Sequence, residues 1–305
     1  MKLDFSEMKV LLIGDFMADI YIYGSSSRMS PEAPVPVVDV NEVKISPGGA
    51  GNVAMNLRSF GAQVSCIGSV GDDKEGLAIL KMLQDKKIDT NLISTSKINT
   101  ITKKRYFANG KQILRIDREQ IDNMWQPVSI DELQSDKFDV IIMSDYNKGV
   151  LNNNWFNKIN SKNIIVDPKK DNFSFYKNAN IITPNLNELQ RTTNINLVDE
   201  ESIIKVCNKI IYKNNLDYII AKRGDKGMMV CGKNNYLKII EPHKVKNPDV
   251  TGAGDTVIAA LSLAYTKFGD IEKSAIISNA AASIAVSKKG TSFPKIAEIE
   301  ELLSK

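Results

Sequence analysis

Short apolar runs alternate along the chain with segments of helical periodicity. The runs have the length and composition of buried strands, and they lie at residues 9–14, 64–71, 138–145, 163–168, 180–185 and 217–224. The segments typical of helices lie at residues 52–60, 74–83, 153–159, 185–191, 255–266 and 271–287, and residues 227–241 indicate one further hairpin. This alternation predicts an α/β fold with a doubly wound, mainly parallel sheet that helices cover on both faces.

Two stretches depart from this pattern, because apolar and polar residues alternate in them as in half-buried strands. Residues 16–45 contain Pro31, Pro34 and Pro36, which suit edge strands and not a central parallel strand. Residues 98–118 are divided by Asn109 and Gly110, a strong signal for a hairpin turn. We predict that both stretches form one small β lid, inserted into a single domain of residues 1–305.

Composition and charge narrow the function. The chain is 43% hydrophobic and 25% charged, an ordinary globular composition, and its net charge of +4 comes without a dense basic run, which argues against nucleic-acid binding. Three cysteines lie far apart with no metal-ligand spacing, so we expect reduced thiols. The N-terminus lacks a signal-peptide layout and the longest apolar segment is too short to span a bilayer, so we expect a cytoplasmic protein with no membrane partner.

The sequence TGAGD at residues 251–255 stands directly before a helical segment. Helix N-termini present free N–H groups to anions, and the N–H groups of Gly252, Ala253 and Gly254 could converge on a phosphate oxygen. Asp255 could then accept the proton of an attacking hydroxyl, as phosphoryl transfer requires. We expect the helix N-terminus to lower the pKa of Asp255. The structural alternative is an acidic first-turn residue that only stabilises the helix.

A second glycine cluster, SPGGAGNVAMNL, also precedes a helix, but it follows the lid and not the first strand, which argues against a dinucleotide fingerprint. Together with DVTGAGDTVIAA it resembles the ribokinase-like (PfkB) family of sugar kinases over essentially the whole chain. Asn185, Leu186, Asn187 and Glu188 match the NxxE element of that family. The resemblance implies a ribokinase-like fold and ATP-dependent phosphorylation of a sugar.

Within the family, GDFMADIYIYGSSSRMSPEAPVPVV, SDYNKGVL, VDPKKDNF and ITPNLNE resemble the bacterial heptose 7-phosphate kinase subgroup. That resemblance implies phosphorylation of the anomeric hydroxyl of D-glycero-D-manno-heptose 7-phosphate, giving the 1,7-bisphosphate, in the synthesis of ADP-heptose and lipopolysaccharide core precursors. We expect either a stand-alone kinase or the kinase half of a kinase/adenylyltransferase.

The resemblance also implies roles for individual residues. Asp255 would be the general base, and the anion hole would consist of Gly252, Ala253 and Gly254. The nucleotide and its Mg²⁺ would lie near Asn185, Leu186, Asn187, Glu188 (Mg²⁺ through water), Lys222, Arg223, Gly224, Asn279, Gly290 and Thr291. Asp249, with Gly290, would belong to a K⁺ loop, although Val250 stands where relatives often have threonine. The sugar would contact Asp15, Asp19, Gly48, Gly49 and Asn52, and cations for the 7-phosphate would be Arg105, Lys148, Lys169 and Lys170.

The lid would close over the sugar and exclude water, and its exposed edges would pair in a homodimer. The sequence leaves other functions open. One is a different sugar or sugar-phosphate kinase of the same family, such as a ribokinase or fructokinase. A second is a non-catalytic sugar-binding regulator on the same fold, and a third is a dinucleotide-dependent oxidoreductase.

Overall fold

The computed structural model describes residues 2–119, 135–151, 159 and 163–305. Apart from residue 159, the helix predicted at 153–159 lies outside the described residues. The strands are β1 (Lys9–Gly14), β2 (Phe16–Met29), β3 (Pro36–Gly49), β4 (Gln63–Gly71), β5 (Asp89–Ser96), β6 (Ile101–Ala108), β7 (Lys111–Arg118), β8 (Val140–Ser144), β9 (Ile164–Asp167), β10 (Ile181–Ile182), β11 (Tyr218–Lys222), β12 (Met228–Gly232) and β13 (Tyr236–Ile240). The helices are α1 (Ala50–Ser59), α2 (Lys74–Asp85), α3 (Leu186–Thr193), α4 (Glu200–Asn214), α5 (Ala253–Phe268), α6 (Ile271–Val286) and α7 (Ile296–Leu303).

Nine strands form the main sheet, in the order β13-β12-β11-β10-β9-β8-β1-β4-β5. All neighbouring pairs from β5 to β11 are parallel, and β12 and β13 complete the sheet as an antiparallel hairpin. The chain continues from β1 to one side through β4 and later from β8 to the other side through β9. The point between β1 and β8 is therefore the topological switch point, where ligands bind in open α/β sheets.

Two apolar cores lie on the two faces of this sheet. In β1, Val10 and Leu12 enter the core shared with α1, α2, α5, α6 and α7, whereas Leu11 and Ile13 enter the core shared with α3 and α4. This follows from the period of two in a strand, and a strand buried on both faces is apolar throughout. The predicted doubly wound, mainly parallel sheet with helices on both faces is confirmed.

A separate four-stranded sheet, which we call the lid sheet, has the order β3-β2-β6-β7. Strand β2 pairs antiparallel with β3 and parallel with β6, and the β6–β7 hairpin turns at Asn109 and Gly110, both with positive φ. Pro36 is the first residue of an edge strand, where proline is tolerated. The lid sheet thus occupies residues 16–49 and 101–118, close to the two stretches in which the sequence alternates.

The lid sheet has two chemically different faces. The strand register places Asp19, Lys103, Arg105, Arg115 and Asp117 on one face, which we call the charged face. The opposite face, which we call the apolar face, carries mainly apolar residues, among them Ile20, Ile22, Val43, Leu114 and Ile116, together with Lys104. Ile20 and Ile22 are buried in the first core, whereas Val43, Leu114 and Ile116 are exposed.

Some boundaries and elements differ from the sequence-based prediction. Helix α5 begins two residues earlier than predicted, directly after Gly252 in the left-handed region, and β3 runs on to Gly49 with no loop before α1. The sequence analysis predicted no element at β5, α4 or α7. Strand β5 lies at the sheet edge and buries few side chains, so its apolar pattern is weak. Within the described ranges, no helix is both long enough and apolar enough to cross a bilayer.

Candidate active site

Polar side chains collect at the carboxyl edge of the parallel strands, beside the N-terminus of α5. Asp15 follows β1, Asp145 and Tyr146 follow β8, Asp167 ends β9 and Lys222 ends β11. Because parallel strands present the same end at one edge, residues far apart in sequence meet here. Asp15 and Tyr146 flank the switch point between β1 and β8.

Asp255, in the first turn of α5, is only 5% exposed, and both of its carboxylate oxygens accept hydrogen bonds. The Asn52 side-chain amide donates to Oδ2 over 2.6 Å, and the Tyr146 hydroxyl donates to Oδ1 over 2.8 Å. Gly252 makes this packing possible, since a Cβ there would lie 2.5 Å from Asn52 Nδ2 and the backbone has φ of +76°. The glycine of the motif therefore makes room for the amide that holds the acid.

The prediction that the helix N-terminus lowers the pKa of Asp255 is wrong in its direction. Burial raises that pKa from 3.8 to about 7, although the hydrogen bonds from Tyr146 and Asn52 oppose the rise. Desolvation of the ionised carboxylate dominates here, because the side chain is almost completely removed from water. A carboxylate that titrates near neutral pH is well matched to general-base catalysis.

The backbone N–H groups around Gly252 are not equivalent. The Ala253 N–H donates to the Val250 carbonyl over 3.2 Å, and the Thr256 N–H donates to the Gly252 carbonyl over 3.0 Å. In the described part of the chain, no acceptor is found for the N–H groups of Gly252, Gly254 and Asp255. These three amides are the donors available for an anion, whereas the amide of Ala253, predicted as a member of the anion hole, is used in the preceding turn.

A lysine ammonium lies beside these amides. Lys222 Nζ is 3.3 Å from the position that a Cβ on Gly254 would occupy, and it forms an ion pair with Asp167 Oδ1 at 2.5 Å. Burial lowers the pKa of Lys222, but Asp167 and Glu188 outweigh that effect and hold the pKa above its ordinary value. The Thr183 hydroxyl also donates to Asp167, over 2.7 Å. A permanent positive charge is thus fixed at the head of α5.

The NxxE element forms the start of α3. Asn185 and Glu188 make a capping box, in which the Asn185 side chain accepts the Glu188 N–H over 2.9 Å and Glu188 Oε2 accepts the Asn185 N–H over 2.8 Å. The other oxygen, Oε1, faces Lys169 Nζ at 3.1 Å. Leu186 packs against the second core and Asn187 is exposed, so only Asn185 and Glu188 of this element have their side chains in these contacts.

Mg²⁺ is usually held by one or two carboxylates together with substrate phosphates and water, not by an all-protein cage. Among the described residues, no group of three or more His, Cys, Asp or Glu side chains could enclose a metal. Two carboxylates, Asp167 and Glu188, act on the same Lys222 ammonium beside the free amides. This donor set fits the one-or-two-carboxylate mode.

Asp15, predicted to contact the sugar, binds the loop after β8 through its carboxylate. Its carboxylate accepts the backbone N–H groups of Tyr146 (2.8 Å), Lys148 (3.1 Å) and Val150 (3.1 Å). Burial, together with the charge of Asp145, raises its pKa to about 6. Asp15 therefore holds the loop after β8, and through it places Tyr146 against Asp255.

On the lid sheet, Asp19 and Arg105 form an ion pair at 2.6 Å, and a Cβ on Gly48 would lie 2.3 Å from Asp19 Oδ2. The neighbouring Gly49 has φ of +57°, and the Asp15 carbonyl would lie 2.4 Å from its Cβ. The structure thus brings the predicted sugar residue Asp19 together with the predicted phosphate residue Arg105.

Three other predicted phosphate-binding lysines already have polar partners. Lys148 pairs with Glu119 at 2.6 Å, Lys169 with Glu188, and Lys170 donates to Asn147 Oδ1 over 3.1 Å. The partner of Lys169, Glu188, is a residue predicted on the nucleotide side, and the role of Lys169 at the 7-phosphate stays a prediction.

The remaining predicted nucleotide residues lie in two groups. The Gly290 N–H donates to Asp249 Oδ2 over 2.8 Å and the Thr251 N–H to Oδ1 over 3.1 Å; these amides outweigh burial and lower the pKa of Asp249. Thr291 Oγ1 is hydrogen-bonded to the Tyr21 hydroxyl of the lid at 2.9 Å. In the second group, the Asn279 amide donates to the Glu241 carbonyl, and Arg223, before Gly224 in the turn after β11, pairs with Glu200 at 2.5 Å.

The sequence analysis missed Tyr146, Asp167 and Lys103. Tyr146 and Asp167 stand immediately after or at the end of a predicted strand, and that position was the available signal. Lys103 lies in the alternating pattern of β6, where nothing in the sequence distinguishes it from Lys104. Its ammonium lies 5.4 Å from the ring centre of Tyr146.

Comparison with known proteins agrees with this geometry. The family described as pfkB family carbohydrate kinase matches residues 7–298. The chain belongs to this family. The sequence-based predictions of the family and of carbohydrate kinase activity are therefore confirmed.

Among curated pfkB relatives, the Bifunctional protein HldE of Blochmanniella pennsylvanica is 36% identical over 99% of this chain and 64% of its own length. The protein of the same name from Haemophilus influenzae is 36% identical over 98% of this chain and 64% of its own length.

The chain therefore spans somewhat less than two thirds of the relatives that it matches. Solved structures show the same fold at lower identity. Ribokinase of Arabidopsis thaliana, complexed with ribose and ATP, has a TM-score of 0.79 at 20% identity, covering 98% of this chain and 99% of that chain. Phosphofructokinase-2 of Escherichia coli, in complex with potassium, has a TM-score of 0.76 at 17% identity, with coverage of 98% and 99%. The predicted ribokinase-like fold is confirmed.

Proposed function

We propose that this pfkB-family kinase transfers the γ-phosphoryl group of ATP to the anomeric hydroxyl of D-glycero-D-manno-heptose 7-phosphate. The observation that carries the proposal is the buried Asp255 carboxylate beside the free N–H groups of Gly252 and Gly254. This arrangement supplies a proton acceptor and an oxyanion cradle at one point, as phosphoryl transfer requires.

In the proposed reaction the acceptor hydroxyl binds at Asp255, which takes its proton as the bond to phosphorus forms and the bond to the leaving ADP breaks. Asn52 holds the carboxylate in place from one side and Tyr146 from the other. The amides at the head of α5 and the ammonium of Lys222 stabilise the equatorial oxygens of the phosphoryl group. Mg²⁺, held through Glu188 and Asp167 and the phosphates, would neutralise phosphate charge when bound.

The heptose 7-phosphate assignment is supported by the lid segments that resemble the heptose kinase subgroup and by identity to the HldE proteins over nearly the whole chain. The charged face of the lid sheet also supports it, because β2, β6 and β7 place three cations and only two carboxylates there, while Lys44 and Glu42 of β3 on the same face pair with each other. A neutral sugar such as ribose offers no group that would use this excess of positive charge.

The proposal is tested by coupled measurement of ADP formation with ATP and Mg²⁺ on a panel of acceptors. We expect the highest kcat/KM with heptose 7-phosphate and much lower values with ribose, fructose and fructose 6-phosphate. Asp255→Asn is the matched control, since it preserves shape and removes the proton acceptor. High activity on ribose without activity on heptose 7-phosphate would refute the substrate, and ATP-independent sugar binding without turnover would favour the regulator.

We further propose a homodimer formed through the lid sheet. The exposed fractions of Val43 (56%), Leu114 (51%) and Ile116 (46%) leave an apolar strip on the face opposite the charged one. Burial of such a strip against a second copy removes apolar surface from water and covers the edge strands. Light scattering should give twice the chain mass for the wild type and a monomer for Leu114→Lys; a monomeric wild type would contradict the proposal.

A requirement for K⁺ is a separate proposal. Its support is the hydrogen bond from the Gly290 N–H to Asp249 Oδ2, which links the two residues of the predicted cation loop. Comparing initial rates in K⁺, Na⁺ and a bulky organic cation at constant ionic strength tests it. Equal rates in all three salts would count against a K⁺ loop.

A further inference from the structure

The charged face of the lid sheet carries one more cation than its carboxylates can neutralise. The register places Lys103 opposite Asp19 on β2 and opposite Asp117 on β7, while Arg105 lies opposite Arg115. Two like charges directly opposite each other are unfavourable unless each has a counter-ion. Each arginine has one, because Arg105 pairs with Asp19 at 2.6 Å and Arg115 pairs with Asp117 at 2.6 Å.

Both carboxylates are thereby used by arginines, and the ammonium of Lys103 is left over. It makes no hydrogen bond and no ion pair with any residue in the described ranges, and its close contact is the ring of Tyr146 at 5.4 Å. Burial lowers the pKa of Lys103, which is the direction expected for an ammonium without a direct counter-ion. A half-buried cation in this state gains free energy when an anion binds beside it.

The position of the ammonium relates it to the reaction centre. The hydroxyl of Tyr146 donates to Oδ1 of Asp255 over 2.8 Å, so one tyrosine side chain separates Lys103 from the proposed base. Lys103 and Asp255 thus lie against the ring and the hydroxyl of the same tyrosine, and we expect a sugar phosphate to reach both.

We propose that Lys103 binds the phosphate group of the acceptor and makes the enzyme specific for phosphorylated sugars. The inference rests on the proposed function, and it deepens that function by naming the residue that recognises the class of acceptor. Lysine acts on phosphate as a point charge, and Arg105, already oriented by Asp19, supplies a second donor at the same face. The other candidate lysines have partners: Lys148 pairs with Glu119, Lys169 with Glu188, and Lys170 with Asp145.

The test compares Lys103→Met, which keeps the length of the side chain and removes its charge, with Lys104→Met. Lys104 is adjacent on β6, but its side chain lies on the opposite face of the lid sheet. With a saturating nucleotide, we expect Lys103→Met to raise KM for the sugar phosphate roughly 10- to 100-fold with kcat within about threefold, since one charge-assisted contact is lost. Lys103→Arg should recover most of the affinity, and Lys104→Met should match the wild type.

A loss confined to kcat, or an equal rise of KM in Lys104→Met, would overturn the assignment. A screen of wild-type acceptors separates this proposal from the proposed function. Turnover of a phosphorylated sugar other than the heptose removes only the heptose assignment, and Lys103 is then tested with that sugar. Turnover of uncharged sugars alone overturns both. Thermal melting of each variant identifies a loss of fold. If Lys103→Met does not fold, Lys103→Arg decides the test: a KM near that of the wild type supports the proposal, and a strongly raised KM overturns it.

Discussion

Replacement of Tyr146 by phenylalanine removes a single hydroxyl from the proposed active site. That hydroxyl donates to Oδ1 of Asp255 over 2.8 Å, and it stabilises the ionised carboxylate in a position where burial favours the protonated form. With both the Asn52 and the Tyr146 hydrogen bonds in place, the pKa of Asp255 is about 7. Without the hydroxyl, the same burial acts against one donor fewer, so the pKa must rise.

The size of the rise follows from the strength of the bond. A hydrogen bond to a charged group contributes roughly 1.5–3 kcal/mol, and one pKa unit corresponds to about 1.4 kcal/mol. The pKa of Asp255 in Tyr146→Phe should therefore lie roughly one to two units higher, near 8 to 9. Because a general base must be deprotonated to act, the rising limb of the pH profile of kcat/KM should move upward by the same amount.

The assay is kcat/KM for one acceptor from about pH 5.5 to about pH 9.5 for the wild type, Tyr146→Phe and Tyr106→Phe. Tyr106 is half-buried on the apolar face of the lid sheet, so its variant controls for the loss of a tyrosine hydroxyl elsewhere. We expect the wild-type limb near pH 7, an upward shift only in Tyr146→Phe, and recovery of most activity at high pH. A uniform loss at every pH with an unchanged limb would refute the reasoning.

Three other variants test separate parts of the site. Asp255→Asn should lower kcat by at least ~10²-fold. The pKa of Asp255 is higher in the folded than in the unfolded protein, so ionisation of this group lowers the free energy of unfolding of the wild type as pH rises from 4 through 7. In denaturation curves the variant should therefore exceed the wild type in free energy of unfolding by up to about 4 kcal/mol at pH 8 and by little at pH 4. Gly252→Ala should lower the free energy of unfolding by about 1–2 kcal/mol and should also lower kcat, because the added Cβ displaces Asn52. Gly110→Ala, at φ of +79° with open space around it, should lower only the free energy of unfolding. Equal kcat values in the two variants would contradict the role of Asn52. Lys222→Met should destabilise the fold by about 3–5 kcal/mol, because it leaves the charge of Asp167 uncompensated. Adding Asp167→Asn to Lys222→Met should restore part of the lost stability. If the double variant instead loses the sum of the two single losses, Lys222 and Asp167 are not coupled.

The parts of the site that the sequence predicts are those with local causes. Gly252 and Asp255 lie within four residues of each other, and their effect on a helix N-terminus depends on nothing distant. The alternation of apolar and polar residues in β2 and β6 likewise predicts a sheet with two different faces, and the Asn109–Gly110 dipeptide predicts the hairpin turn.

The parts that the sequence could not predict depend on contacts across the fold. Tyr146 and Asp255 are 109 positions apart, and they meet only because β8 ends and α5 begins at the same edge of the sheet. The position of Asp15 after β1 predicts a sugar contact, but nothing in the sequence indicates that its carboxylate accepts three N–H groups of the loop after β8. The pKa of Asp255 was misjudged for the same reason, since burial is a property of the whole packing and the helix N-terminus is local.

The anchoring of the loop after β8 has a consequence for substitutions in that loop. One carboxylate, that of Asp15, holds the loop through main-chain N–H groups at three alternate positions, so the hold does not depend on the side chains carried there. The path of the loop should therefore survive replacement of the Tyr146 or Lys148 side chain. A change of activity in such a variant then measures the lost side chain and not a displaced backbone.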